Sequence, residues 1–305
     1  MKVASIYGHI PSKRKLKESA EWPLPRCNIG LEWEFELATN LMIYIQGLRN
    51  NNYVTLKEDG SLRDRGIEVV TVGDGLFGED LSDAIALVAE AVRKATPVCN
   101  YRTGFHVHID IRDMEEKELH NMLLLYCLLE KPIFNFVGRD RWKSNFCVPW
   151  FRSDNHFVNL RELESFNAKT APAIASKLRS LSRYSALNCQ SIAKFGTLEF
   201  RHLENDNKEI LTKQKDFIKI VMLLKKLAQK EYANGIFGSV LYEKFRAMSG
   251  YELIRYFGYN LPTTDWDYGE TLMSAITLVD FHFPKAKIFN DLLFQEFAGN
   301  HPAMI

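Results

Sequence analysis

Several short stretches of the chain alternate apolar and polar side chains with a period of two, the mark of strands that bury one face. They cover residues 29–37, 66–71, 104–111, 186–192 and 197–203. Elsewhere apolar residues recur three and four positions apart, over residues 80–96, 115–137, 171–181 and 208–232, which predicts helices. Strands and helices interleave, but not as strand–helix units of constant length. One-sided alternation of this kind favours an antiparallel sheet backed by helices over a parallel sheet covered on both faces, so the fold class expected is α+β. No internal repeat or low-complexity tract interrupts the pattern.

Ahead of the first strand, Lys13, Arg14, Lys15 and Lys17 are followed by Pro23 and Pro25, which predicts an exposed lead-in over residues 1–25. A core over residues 26–232 and a helical, aromatic extension packed on it over residues 233–305 complete the expected organisation. With 46% hydrophobic and 25% charged residues, the chain has the make-up of a globular protein. Its 39 basic and 38 acidic side chains nearly cancel, so no global charge draws it to nucleic acid or an anionic membrane. The five cysteines are odd in number and form no C-x-x-C pair, which fits a reducing, cytoplasmic setting better than a disulfide framework or a structural zinc. The most apolar stretch, residues 123–129, falls far short of the roughly 20 residues that cross a bilayer, and the N-terminus lacks the apolar block of a signal peptide.

Chemistry enters through the polar faces of the strands. In Gly30-Leu-Glu-Trp-Glu-Phe-Glu-Leu, the carboxylates Glu32, Glu34 and Glu36 point one way and Leu31, Trp33, Phe35 and Leu37 the other. Such crowding raises carboxylate pKa values in a water-poor cleft unless a cation compensates, and hard oxygen donors suit magnesium or manganese. A solvated acidic strand is the plainer alternative. Residues 104–111, Gly-Phe-His-Val-His-Ile-Asp-Ile, set His106, His108 and Asp110 on one face. In residues 197–204, Thr-Leu-Glu-Phe-Arg-His-Leu-Glu, the residues Thr197, Glu199 and Arg201 share a face. There a carboxylate beside a guanidinium suggests a metal next to a phosphate, or else a self-satisfied ion pair. Between these, Lys57-Glu-Asp-Gly-Ser-Leu places Asp59 in a turn, and Glu68 lies on a strand.

Taken in order, Gly30-Leu-Glu-Trp-Glu-Phe, Asp59-Gly-Ser with Gly66-Ile-Glu-Val-Val, Gly104-Phe-His-Val-His, and Arg183 through Asn188 to Thr197-Leu-Glu-Phe-Arg, the chain resembles the amidoligase family. These are carboxylate–amine ligases related to glutamine synthetase and glutamate–cysteine ligase. The resemblance, over about residues 28–204, implies a curved antiparallel sheet of that glutamine synthetase-like kind, holding ATP and magnesium, with manganese as an alternative. By that analogy Glu32, His106 and Glu199 hold the ion nearest the transferred phosphate, and Glu34 and Glu68 the ion nearer the substrate. Arg201 neutralises phosphoryl charge, and His108, Arg183 and Asn188 lie near the nucleotide or the acyl phosphate.

The implied reaction is amide formation through an acyl phosphate, from small-molecule or peptide carboxylate and amine substrates. Asp59 or Glu68 would accept the amine proton. The chain has no G-x-x-x-x-G-K-S/T loop, so an unrelated phosphate-binding scheme is required, and a sheet-borne metal cluster supplies one. Two other functions fit the same residues: a metal-dependent hydrolase built on the His-x-His strand and its carboxylates, and a catalytically idle binding protein that kept the fold. Residues 139–159, with Arg141, Trp142, Trp150, Phe151 and Arg152, form a candidate lid or acid-binding loop, or a surface loop anchored by its tryptophans. Substrate identity is not encoded in any motif, and a homo-oligomer is compatible with the sequence.

Overall fold

The computed structural model describes residues 2–9, 19–24, 26–48, 51–150, 182–206, 211–248 and 252. Its centre is an antiparallel sheet of six strands. The strands are β1 (Ile29–Phe35), β2 (Val54–Lys57), β3 (Ile67–Thr71), β4 (Gly104–Asp110), β5 (Leu187–Asn188) and β6 (Thr197–Glu204), in the spatial order β2-β3-β1-β4-β6-β5. The α-helices named among the described residues are α1 (Val3–Tyr7), α2 (Thr39–Gln46), α3 (Gly78–Ala95), α4 (Glu116–Val137), α5 (Gln190–Phe195), α6 (Lys213–Ala233) and α7 (Ser239–Arg246), with a short 3-10 turn over Arg139–Lys143. The fold is α+β. No described helix is long and apolar enough to cross a membrane, and none of the five cysteines forms a disulfide among the described residues.

Alternation decides which face is which. Leu31, Trp33 and Phe35 of β1, Phe105, Val107 and Ile109 of β4, and Leu198 and Phe200 of β6 are fully buried on one side of the sheet. Helices α4 and α6 pack on each other and cover that side along β4 and β6. The start of α4 is fixed by a reciprocal cap in which Glu115 and Glu118 each receive the other's backbone N–H. The Trp33 indole N–H, which burial would otherwise leave unpaired, donates to Gln214 Oε1 of α6 at 2.7 Å. Gln214 in turn donates to Asn205, and Asn205 to the carbonyl of Glu34 at 2.7 Å, so the helix layer holds the backbone of the acidic strand.

One irregularity matters for the site. Between the pairs Phe105–Leu203 and Val107–Phe200, β4 contributes one residue, His106, and β6 two, Arg201 and His202. This bulge keeps Arg201 on the open face and turns His202 into the core, followed by the buried Leu203. His202 lies among the rings of Tyr126, Phe134 and Phe217. Its Nε2 meets the Tyr126 hydroxyl at 3.0 Å, and that hydroxyl donates to Glu130 Oε1 at 2.5 Å, so Nε2 carries the proton.

The helices expected over residues 80–96 and 115–137 form as α3 and α4. The strand expected over residues 29–37 ends at Phe35: Glu36 bridges to Val98, and Leu37, with φ 49°, is 60% exposed rather than buried. The strand expected over residues 186–192 shrinks to Leu187–Asn188. Asn188 Oδ1 takes the Gln190 N–H at 2.9 Å, and the Ser191 hydroxyl bonds the carbonyls of Asn188 and Thr197, which turns the chain into α5. Strand β2 and helix α2 were not expected; four and eight residues respectively are too few to display a period.

Parts of the lead-in dock on the core, with Val3 and Trp22 buried and the Trp22 indole donating to Gly78, whereas the basic run of residues 13–17 lies outside the described residues. The same holds for the helix expected over residues 171–181 and for most of the C-terminal extension, of which α7 is described.

Burial pushes the His202 imidazole down to about 3, helped by the Arg141 charge. A histidine depressed in the folded state binds its proton more readily unfolded. Its contribution is therefore fully present above the unfolded value of about 6.5 and declines as pH falls toward 3. Urea unfolding across pH 7 to 4 should lose several kcal/mol in the native chain, and His202→Phe should flatten the slope below pH 6.5. An unchanged slope in that variant would remove His202 as the cause.

Candidate metal and phosphate site

The open face of the sheet carries the polar residues, and register places them in rows. Lys57, Glu68 and Glu34 are direct cross-strand partners on β2, β3 and β1. Glu32 faces His106 across β1 and β4, and His108 faces Glu199, which faces Asn188, across β4, β6 and β5. A cleft of about 810 Å³ opens above these rows, within the size range of small-molecule sites. A second chamber of about 720 Å³, floored by Gly30 and Gly73, adjoins it at Glu32, His108 and Lys57.

Two groups of donor atoms converge there. Glu32, His108 and Glu199 each offer one atom within 4.8 Å of the others, and so do Glu34, Asp59 and Glu68. In the first group His108 Nδ1 bonds the Thr197 hydroxyl at 3.0 Å. With the proton assigned to Nδ1, the buried Nε2 is left with no hydrogen-bond partner, 3.2 Å from Glu32 Oε1 and 4.0 Å from Glu199 Oε2. A nitrogen lone pair turned toward two carboxylates repels them unless a proton or a metal cation lies between. One nitrogen with two oxygens, beside an all-oxygen group, is a donor set that fits magnesium or manganese.

The expected set placed His106, not His108, with Glu32 and Glu199. His106 lies underneath, 1% exposed, with Nδ1 3.2 Å from Glu32 and 3.5 Å from Glu199 and Nε2 3.8 Å from Glu34. It bonds Glu32 and lies within 4 Å of the other two carboxylates, while His108 lines the cleft. Glu34 and Glu68 come together as expected, and Asp59 joins them from the turn after β2, where its carboxylate also accepts the Ser61 N–H. Arg201 bonds Glu199 through Nη1 and the Phe146 carbonyl through Nε, and Asn188 donates to Glu199 Oε2 at 2.7 Å. Arg183 lies at the cleft mouth, stacked on Tyr184 and bonded to its hydroxyl. Glu36 leaves the group, its carboxylate taken by the Arg63 N–H and Asn100. Asp110 likewise pairs with Arg112.

Charge follows this geometry. Burial would raise the Glu32 carboxyl, but His108 and His106 hold it well below the usual range. Burial also opposes ionisation of Glu199, and Arg201 and His108 outweigh it. The His108 imidazole is raised, because Glu32 and Glu199 overcome its burial. Glu68 goes the other way: burial and the Glu32 charge push it up to about 8, against the pull of Lys57. The carboxylate cluster is short of positive charge at its β3 edge.

Of the candidate lid, the described residues are anchors. Trp150 is fully buried and donates to the Leu187 carbonyl, and Arg141 reaches the carbonyls of Tyr101 and Arg201. Phe151 and Arg152 lie outside the described residues. Sequence reasoning passed over Lys57, Thr197 as the partner of His108, and Gly104. The last has a readable signal, since a glycine opening a strand of otherwise bulky residues marks a close approach.

Gly104 donates its N–H to Glu34 Oε2 at 2.5 Å, and a Cβ there would lie 2.5 Å from His106 Nε2 and 2.9 Å from Arg141 Nη2. Gly104→Ala should therefore lower stability by about 1–3 kcal/mol and weaken manganese binding in the same protein, measured by thermal melting and by titration. A variant that melts and binds as the native chain does would show that the gap is not needed.

Comparison with known proteins yields one family. No curated protein matches the chain. A family model described as "putative amidoligase enzyme" matches residues 48–209, a little over half of the chain. The matched segment carries Asp59, Glu68, His106, His108, Asn188, Glu199 and Arg201, and it begins after β1, so Glu32 and Glu34 join the group through strand pairing alone. The chain belongs to the amidoligase family.

Proposed function

We propose that the protein is an ATP-dependent carboxylate–amine ligase that works through an acyl phosphate, with two divalent cations, magnesium or manganese, in the two carboxylate groups. The observation that carries this reading is the pair of adjacent donor groups, Glu32–His108–Glu199 and Glu34–Asp59–Glu68, at the floor of one cleft beside Arg201. Bound there, the ions would screen phosphoryl charge and draw two anionic reactants together. A relation of the sheet to the glutamine synthetase core is part of the same proposal and rests on the resemblance of the motifs.

The chain's own residues account for the rest. Arg201, held by Glu199 and the Phe146 carbonyl, presents a preset guanidinium to the oxygens that gain charge as a substrate carboxylate attacks the γ-phosphorus and ADP leaves. Thr197 fixes the His108 tautomer, so that Nε2 stays a donor of its lone pair. In the second step the amine attacks the acyl carbon, phosphate leaves, and Asp59 or Glu68 accepts the surplus proton. His106 and Asn188 hold Glu32 and Glu199 in place. Arg183 at the mouth meets the nucleotide or the acid. The oxygen-rich donor set favours this ligase reading over a zinc hydrolase, which would take more nitrogen or sulfur.

The test is thermal melting followed by product analysis. ATP with magnesium together should raise Tm by several degrees, zinc alone should not, and mass spectrometry of reactions with pooled amino acids and peptides should show a condensed product and ADP. No shift at saturating ATP and magnesium would count against the ligase.

Two variants refine it. Glu199→Gln keeps the shape but removes a ligand charge and the partner of Arg201, so manganese affinity should drop by roughly 10–100-fold and phosphate release should cease. Arg201→Lys keeps the charge without the fork, and should lower kcat more than it raises the KM for ATP. Equal effects on both would make Arg201 structural.

A further inference from the structure

Lys57 occupies an odd place for a lysine. Register sets it directly across from Glu68 at the end of β2, and its ammonium lies 3.2 Å from Glu68 Oε2, an oxygen of the second donor group. A fixed positive charge on a metal-ligating carboxylate works against metal binding, both by repulsion and by holding an oxygen the ion needs.

The side chain is nevertheless free to leave. It is 58% exposed, on a flexible four-carbon stem, and it lines the main cleft and the adjoining chamber alike. The other basic side chains lining the main cleft are tied differently: Arg201 to Glu199 and a carbonyl, Arg183 to Tyr184, Arg102 over the Tyr101 ring, and Lys194 over the Phe195 ring.

We propose that Lys57 is an exchangeable counter-ion: it holds Glu68 while the second donor group is empty, yields that carboxylate to the incoming divalent cation, and then meets the phosphoryl oxygens at the junction of the two chambers. The inference rests on the ligase reading for its second half, whereas its first half concerns metal binding alone. Lys57 stays protonated throughout and makes or breaks no covalent bond. A compact ammonium suits this task, because a phosphate oxygen and a carboxylate are interchangeable partners for a point charge. The bland alternative is an exposed ion pair with no role beyond a small gain in stability.

The experiment compares the full-length chain with Lys57→Met and Lys57→Arg. Manganese is titrated without nucleotide, and steady-state turnover is measured with ATP varied. Removing the competing charge should tighten manganese binding by roughly two- to fivefold in Lys57→Met, the range an exposed ion pair is worth. The same variant should lose roughly tenfold or more in kcat with little change in the KM for ATP. Lys57→Arg should bind manganese as the native chain does and recover part of the turnover. Unchanged or weaker manganese binding in Lys57→Met overturns the counter-ion role, and full turnover overturns the phosphoryl contact. If the native chain binds manganese but condenses no substrate, the ligase reading fails while the metal titration still decides the counter-ion role. A native chain that binds no manganese sinks both.

Discussion

Like charges gathered in a half-buried cleft repel one another unless something positive lies among them, and this sheet gathers Glu32, Glu34, Asp59, Glu68 and Glu199 above a single apolar core. The chain answers part of that repulsion itself. Arg201 and His108 hold Glu199 ionised, the two imidazoles hold Glu32, and Lys57 pulls on Glu68. What is left over, concentrated at the β3 edge, is the burial and repulsion that push the Glu68 carboxyl up to about 8. Fold and function meet in this imbalance, because the strands that crowd the carboxylates are the same strands whose other faces form the core.

Much of this can be read from alternation alone. A period of two in residues 29–35 and 104–110 assigns Trp33 and Phe105 to the interior, and Glu32, Glu34, His106 and His108 to the opposite side. Which imidazole faces the cleft cannot be read that way, because both share a face and differ in what the neighbouring strands set beside them: β1 puts Glu32 opposite His106 and Gly30 opposite His108, and β6 adds the rest. Thr197 secures His108, while the bulge and Arg201 crowd His106 downward. The early end of β5 is likewise a side-chain event, Asn188 and Ser191 bonding the local backbone in place of a ladder. Short elements such as β2 are invisible to periodicity, and with β2 went the importance of Lys57.

Family membership and strand pairing contribute different parts of the site. The matched residues supply Asp59, Glu68, His108 and Glu199, whereas β1, outside the match, inserts between β3 and β4 and brings Glu32 and Glu34. The two donor groups both straddle that boundary. Each draws one donor from β1, so the central strand is what makes them neighbours.

The bulge in β6 has a consequence for how this protein can change over time. Since Arg201 and His202 stand side by side with opposite destinations, losing one residue ahead of them in that strand would exchange them, sending a guanidinium into the aromatic interior and an imidazole toward the cleft. Lineages that alter this segment must therefore keep its length while varying its letters, and drift at the cleft is tethered to drift in the packing beneath it.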